Sequence, residues 1–285
     1  MSNIEISRAE RLDQYVAKKM PMVSRAYAAK VIEDGSVTVN NLVITKTGYK
    51  IRESDKIAID HDPSLLNVIP DIDLEVVYED NDCIVINKPC GILSHSKGQY
   101  NPEATVASWL IARVVGLNGD RAGVVHRLDR ATSGVMICAK NPRASAWLQK
   151  QFSQRKVKKT YMAVVQGIFE TEHAIIDMPI ERNPKKPQTF RVGSNGKSAT
   201  TEYEVLEHNE KLTLLQLRPT TGRTHQLRVH LEHLHHSIVG DTLYGGLEED
   251  RMYLHAFSLE ITTPSRQRKI FTVPMPSSFK NIMMN

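Results

Sequence analysis

Apolar residues near the start of the chain recur with two periods. Leu12, Tyr15, Val16 and Met20 fall at helical spacing and Pro21 closes the run, which predicts a short first helix. Ser24 can cap a second helix from Arg25 to about Asp34, with Ala28 and Ile32 among its apolar positions and Gly35 as its stop. The period then changes to two. Val37–Val39 alternates, Asn40 and Asn41 make a turn because asparagine tolerates positive φ, and Leu42–Ile44 resumes, which predicts a hairpin; Lys56–Asp60 adds a strand. The stretch from His61 to Asp73 carries two prolines and no clear period, and it is placed as a boundary. The expected division is a small domain over residues 1–62, a linker over 63–73 and a larger domain over 74–285.

Strands and helices then follow without regular alternation. Strand patterns cover Val76–Tyr78, Cys83–Asn87, Tyr161–Val165, Thr200–Leu206 and Leu212–Leu217, with an Asn81-Asp82 turn between the first two. Helical patterns cover Val106–Val115, Pro142–Arg155 and about Thr224–His233, the second with proline in its first turn and the third with Thr224 as a cap. Such an order points to a mixed sheet of the α+β class rather than to a doubly wound parallel sheet.

Composition narrows the function. With 285 residues, 41% of them apolar and 24% charged, the chain can bury a substantial core and has no compositional signature of disorder. A net charge of +5 and a pI near 9.0 suit a polyanionic partner. The charged first residues lack the apolar core of a signal peptide, and no run approaches the length of a membrane span, so a cytoplasmic protein is expected with no membrane partner. Cys83, Cys90 and Cys138 form no C-x-x-C pair, which argues against a disulfide framework or a zinc knuckle.

Three segments set polar residues between apolar runs. In Asn87-Lys-Pro-Cys-Gly-Ile-Leu-Ser-His95, the proline and glycine say only that a strand ends in a shaped turn. The second, from Gly123 to Cys138, reads G-V-V-H-R-L-D-R-A-T-S-G-V-M-I-C and puts Asp129 between Arg127 and Arg130. A carboxylate between two guanidinium groups is favoured as the anion, the state suited to a nucleophile or base. An isolated Asp there would be an ordinary turn residue, but a loop that also holds His126, Thr132 and Ser133 is too polar for turn-making alone. The third, L-R-P-T-T-G-R-T-H-Q-L-R-V-H-L from Leu217 to Leu231, leads into a helix with Leu227, Leu231 and Leu234 as its apolar stripe and Arg228 off that stripe.

NKPCGILSH, HRLDRATSG and RPTTGRTHQLRVHL, in that order and with KKTYMAVVQG between the last two, resemble the RluA-type pseudouridine synthases. RLDQYVAKKMPMVSRAYAAKVIEDGSVTVNN resembles the small RNA-binding domain of the S4 type, although Asn41 and Ser54 stand where that family tends to have glycine. The resemblance implies a largely antiparallel mixed sheet with flanking helices around a central cleft. It implies isomerisation of uridine to pseudouridine in structured RNA, ribosomal RNA of the large subunit first and transfer RNA second, by a monomer that needs no cofactor. Asp129 then matches the essential aspartate, Tyr161 a tyrosine stacked on the target base, Arg228 the aspartate's basic partner and Leu227 the apolar residue beneath the ring. Arg127 matches an arginine that occupies space left by the flipped nucleotide, and Arg223 competes with Arg228 for the ion pair. Arg11, Arg25 and Lys30 are the expected RNA-phosphate contacts of the first domain.

Two other patterns carry less. Gly196-Lys197-Ser198 ends like a phosphate loop, but Arg191 stands where that loop needs its first glycine, so a turn into the next strand is expected. The histidines at 225, 230, 233, 235 and 236 lack metal-site spacing, and no metal is expected. The rival from another class is a catalytically silent RNA-binding assembly factor on the same fold; the presence of Asp129, Tyr161 and Arg228 argues against it.

Overall fold

The computed structural model describes residues 10–20, 25–61, 71–96, 103–119 and 121–284. Pro21, the Ser24 cap and most of the expected linker lie outside them. The chain divides at Asp71–Ile72 into two compact units, with Ser96–Ala104 grouped with the first.

The first unit packs β1 (Glu10–Arg11), α1 (Leu12–Lys19) and α2 (Arg25–Glu33) with β2 (Val37–Val39), β3 (Leu42–Val43), β4 (Lys50–Ile51) and β5 (Ile57–Ile59). Leu12, Val16, Ala28 and Ile32 from the two helices close on Val37, Val39 and Ile51. Asn40 and Asn41 both take positive φ, the twist a two-residue hairpin needs. Asn40 also accepts from the Lys56 amide and donates to Asp55, and Asp55 in turn accepts from the Arg52 amide. That network forms the second turn with Ser54 at an ordinary φ, so the absence of glycine there has no steric consequence.

The second unit is a mixed, largely antiparallel α+β sheet of nine strands. Its strands are β6 (Glu75–Glu79), β7 (Cys83–Lys88), β8 (Ser133–Ala139), β9 (Lys158–Gln166), β10 (His173–Asp177), β13 (Thr200–His208), β14 (Leu212–Pro219), β15 (Leu254–Thr262) and β16 (Arg268–Thr272). A small separate hairpin of β11 (Ile180–Arg182) and β12 (Phe190–Val192) precedes β13. The order is β10-β13-β14-β9-β15-β8-β7-β6, with β16 also on β15, and the β15–β8 pairing is parallel. Every residue of β8 is buried, as the apolar run Val135–Ala139 requires of a strand covered on both faces.

The helices are α3 (Val106–Leu110), α4 (Pro142–Ser153), α5 (Gln226–His233) and α6 (Ser278–Met284). Val106 and Leu110 of α3, with Ala144 and Leu148 of α4, share the core of β7 and β8. Alternation along β9 sends Ala163 and Val165 to α5, and Met162 and Val164 to α6. The helix expected over Val106–Val115 stops early: Arg113 folds its guanidinium over the Trp109 ring and donates to the Trp109 carbonyl at 2.8 Å, taking the acceptor that the next helical amide would use. None of the described helices is long and apolar enough to cross a membrane.

Candidate active site

Sheet register brings the second and third sequence blocks to one place. Gly134, at the start of β8, pairs with Ala256, and Ala256 pairs on its other side with Tyr161. The loop carrying Asp129 therefore ends two strands across from the tyrosine, with β15 between them, and Leu217 of the third block pairs with Tyr161 on its other side. Gly134 has φ near +115°, and a Cβ there would lie 2.2 Å from the Ala256 carbonyl oxygen, so only glycine permits this approach.

The first block, weak by itself, holds this loop in shape. The Ser94 hydroxyl donates to the Leu128 carbonyl and accepts from the Leu128 amide, and the Gly91 amide donates to the Arg130 carbonyl. Lys88 is wholly buried and spends its ammonium protons on the carbonyls of Pro89, Ile92 and Arg130. Burial pushes it down to about 8. His126 is likewise structural: it stacks on Phe152 and accepts from the Ile137 amide, and burial lowers it to about 3.

Helix α5 begins two residues later than expected, and Thr224 is not its cap. Gln226 organises the turn instead: its side-chain oxygen accepts from the Thr221 hydroxyl and the Arg223 amide, while its amide group donates to the Thr200 carbonyl and the Thr201 hydroxyl. Two turns of helix thus present polar residues inward, and His230 adds bonds to Thr201 and the Met178 carbonyl.

Between these elements lies a cleft of about 560 Å³. Asp129, Tyr161, Leu227 and Arg228 line it, with Arg127 and Arg223. Arg228 Nη1 donates to Asp129 Oδ2 at 3.3 Å, while Nε and Nη2 fork onto Asp241 at 2.6 and 2.7 Å. Burial opposes the Arg228 charge, but the Asp241 bonds and both carboxylates outweigh it and raise the group. Its guanidinium also lies over the Tyr244 ring, 4.8 Å from the centroid. Burial, reinforced by the Asp129 charge, raises Tyr161, which is a neutral phenol at any physiological pH. Lys159 shares the Tyr161 side of β9, donates to the Thr221 carbonyl at 2.9 Å and is lowered by burial to about 8.

Comparison with known proteins fits this arrangement. The model of the RNA pseudouridylate synthase family matches residues 82–233, and that of the S4 domain matches residues 10–57. The chain belongs to the RNA pseudouridine synthase family. It is 36% identical over 293 residues to an uncharacterized RNA pseudouridine synthase of Aquifex aeolicus, covering 96% of this chain and 92% of that one. It is 38% identical over 281 residues to ribosomal large subunit pseudouridine synthase D of Yersinia pestis, covering 92% and 86%. Among solved structures, human RNA pseudouridylate synthase domain containing 1 superposes with a TM-score of 0.60 at 31% identity, covering 75% of this chain and 86% of that one.

This pseudouridine synthase of the RluA type, an isomerase with an RNA-binding S4 domain, thus gathers Asp129, Tyr161, Leu227, Arg228, Arg127 and Arg223 at one cleft. The cation on Asp129 is Arg228; Arg223 directs its Nε to the Ser198 carbonyl. In the S4 unit, Arg11 and Arg25 both converge on Asp13, and burial of that carboxylate is outweighed by the Arg11 and Arg25 bonds, which hold it down to about 2. The Lys30 side chain is exposed. Sequence reasoning missed Asp13, Asp241 and Tyr244, and noticed His225 only within a histidine cluster. Polar residues set between glycines, Gly240-Asp241 and Tyr244-Gly245-Gly246, were the available signal.

Proposed function

We propose that Asp129 is the carboxylate that acts at the ribose of a flipped uridine, and that the RNA is large-subunit ribosomal RNA, with transfer RNA second. The observation that carries the reading is the Asp129 side chain itself: 19% exposed in a cleft that Tyr161 also lines, on one long contact to Arg228. The chemistry asks for little else. The N1–C1′ bond breaks, the base turns, a C5–C1′ bond forms, N1 gains a proton and C5 loses one, so no redox partner or carried group is needed.

A uridine stacked in a helix cannot present these atoms, and extruding it costs on the order of a few kcal/mol. Tyr161 offsets that cost as a stacking surface, with Leu227 beneath the ring. As a neutral phenol it can donate a proton but is no phenolate base. Arg228 holds the Asp129 carboxylate, Arg127 at the exposed edge of the cleft fills the place vacated by the nucleotide, and Arg223 contacts RNA at the same edge. Arg11, Arg25 and Lys30 meet phosphates on the S4 domain, Arg11 and Arg25 with a structural duty to Asp13 as well. The ribosomal target is supported by the likeness to ribosomal large subunit pseudouridine synthase D of Yersinia pestis.

The test is incubation of the protein with unmodified ribosomal and transfer RNA, followed by carbodiimide-dependent reverse-transcription stops. New stops in large-subunit RNA that depend on Asp129 are expected. Equal stops with Asp129→Asn would sink the catalytic assignment, and stops confined to transfer RNA would sink the choice of substrate.

A further inference from the structure

Arg228 offers Asp129 a single donor, because its other two ends are committed to Asp241. A two-oxygen carboxylate held by one bond of 3.3 Å can still swing. The second group facing it is His225, whose Nε2 lies 3.9 Å from Asp129 Oδ2. His225 is the N-terminal cap of α5 and takes a left-handed conformation, φ 57° and ψ 19°, with no cap bond from its side chain. Glycine and asparagine suit that backbone best and histidine is among the side chains that tolerate it, so the backbone admits His225 and its ring contacts say what it does there. Its ring is packed against Phe190 on one edge and Tyr244 on another, both at 5.6 Å.

The proton on that ring can be placed by counting donors and acceptors. The Tyr244 oxygen accepts from the Phe190 amide at 2.9 Å, and the Tyr244 hydroxyl proton must then go elsewhere. Among the described residues, the acceptor within reach is His225 Nδ1 at 2.8 Å. Nδ1 is therefore the unprotonated nitrogen, and the neutral ring carries its hydrogen on Nε2, facing Asp129. The opposite tautomer would aim two donors at the Tyr244 oxygen, strand its proton, and turn a nitrogen lone pair toward the carboxylate.

We infer that Tyr244 fixes the tautomer of His225, so that His225 presents Nε2–H to Asp129 and serves, beside Arg228, as a positioning residue for that carboxylate. The inference rests on the assignment of Asp129 as the reacting group. Burial lowers His225, partly opposed by the Asp129 charge, which keeps the ring neutral, and burial raises Tyr244 to about 12, which keeps it a donor. At 3.9 Å the N–H is an aimed dipole, and such contacts shorten to hydrogen bonds when substrate closes the site. Tyr244 thereby serves both cationic and neutral partners of Asp129, its ring under Arg228 and its hydroxyl on His225.

Long-range nitrogen–proton correlation spectra of full-length protein labelled with ¹⁵N-histidine read the tautomer directly. The Nε2–H form is expected at His225, and a mixture in Tyr244→Phe; the Nδ1–H form in the unaltered protein overturns the inference. Single-turnover assays on uridine-containing RNA supply the second readout. Tyr244→Phe and His225→Asn should lower the rate constant about tenfold with RNA affinity unchanged, the effect of losing one hydrogen bond to a charged group. His225→Gln, whose amide reaches the Nε2 position, should return to within about threefold of the unaltered rate. Asparagine suits the left-handed backbone and glutamine does not, so Asn outperforming Gln would assign His225 a backbone role and overturn the proposal. A rate loss that appears only with a matching fall in melting temperature does the same. Unaltered rates in Tyr244→Phe and His225→Asn alongside an inactive Asp129→Asn refute the inference and leave the Asp129 assignment standing, whereas an active Asp129→Asn removes that assignment and the inference with it.

Discussion

Asp13 and Asp129 both face arginine, and they differ in how completely they are satisfied. Asp13 sits in the first turn of α1 with its side chain 6% exposed, and four bonds from Arg11 and Arg25 occupy both of its oxygens. Asp129 is three times as exposed, at 19%, and its partner Arg228 gives its two short bonds to Asp241 instead. A carboxylate whose lone pairs are all used is a fastening. One left with unused lone pairs at the wall of a cleft is free to meet a ligand, and the geometry of its partner is fixed by a third residue.

Exchanging each aspartate for asparagine separates the two roles most sharply. Asp129→Asn should lower the rate of pseudouridine formation about a thousandfold or more while shifting unfolding free energy by less than about 1 kcal/mol. Normal activity, or a collapse in stability, would erase the contrast. Asp241→Ala is the next largest change. Among the described residues it leaves a buried guanidinium with the long Asp129 bond and the Tyr244 ring, and loss of one partner from a buried pair costs about 3 to 5 kcal/mol. Urea unfolding followed by the fluorescence of Trp109 and Trp147, both in the larger unit, measures it. A cost below about 1 kcal/mol would mean that Asp129 and Tyr244 can hold Arg228.

Asp13→Asn should cost about 1 to 2 kcal/mol, less because both arginines are half-exposed and screened by water. Its signature is pH. The folded Asp13 is held at about 2 against an ordinary 3.8, so the folded S4 unit binds fewer protons than the unfolded chain in that interval. Stability from this group is therefore complete above about 4 and is lost as pH falls toward about 2. Hydrogen exchange at α1 and α2 amides should show that decline in the unaltered protein and a flatter profile in Asp13→Asn. Parallel profiles would refute the assignment.

How far these roles could be read in advance depended on the range of the interactions. The S4 hairpin, the strands β7, β9, β13 and β14, and helix α4 were legible because period and turn chemistry are local: Asn40-Asn41 and the proline of α4 act on their own neighbours. The blocks that contain them marked Asp129 and Arg228 as candidates and the resemblance added Tyr161, and the structure brings the three to one cleft. Asp241 was not, since its pairing with Arg228 spans a loop and another turn, and periodicity carries no trace of it. Helix α5 misled for a related reason. Its expected start at about Thr224 with that residue as cap gave way to one at Gln226, because Gln226, Arg228 and His230 are buried and find their partners on β13 and the loop at 241–244, far away in sequence.

The same distinction between fastening and contact decides which basic residue of the S4 unit gives a clean test of RNA binding. Arg25→Ala would remove a charge from the surface, but it would also take two bonds from Asp13, so weaker binding could reflect a loosened helix pair. Lys30 stands on the exposed side of α2 near its last turn, and Lys30→Ala removes a charge without disturbing the Asp13 cluster. The expected change is small and specific: the slope of log affinity against log salt should fall by about one, the share of one phosphate contact, with melting temperature unchanged. Binding should weaken to a similar degree on every structured RNA tried, because phosphates carry no sequence information. An unchanged slope would remove Lys30 from the interface. A slope that changes on one RNA and not on others would mean that α2 reads a particular shape rather than the general density of charge.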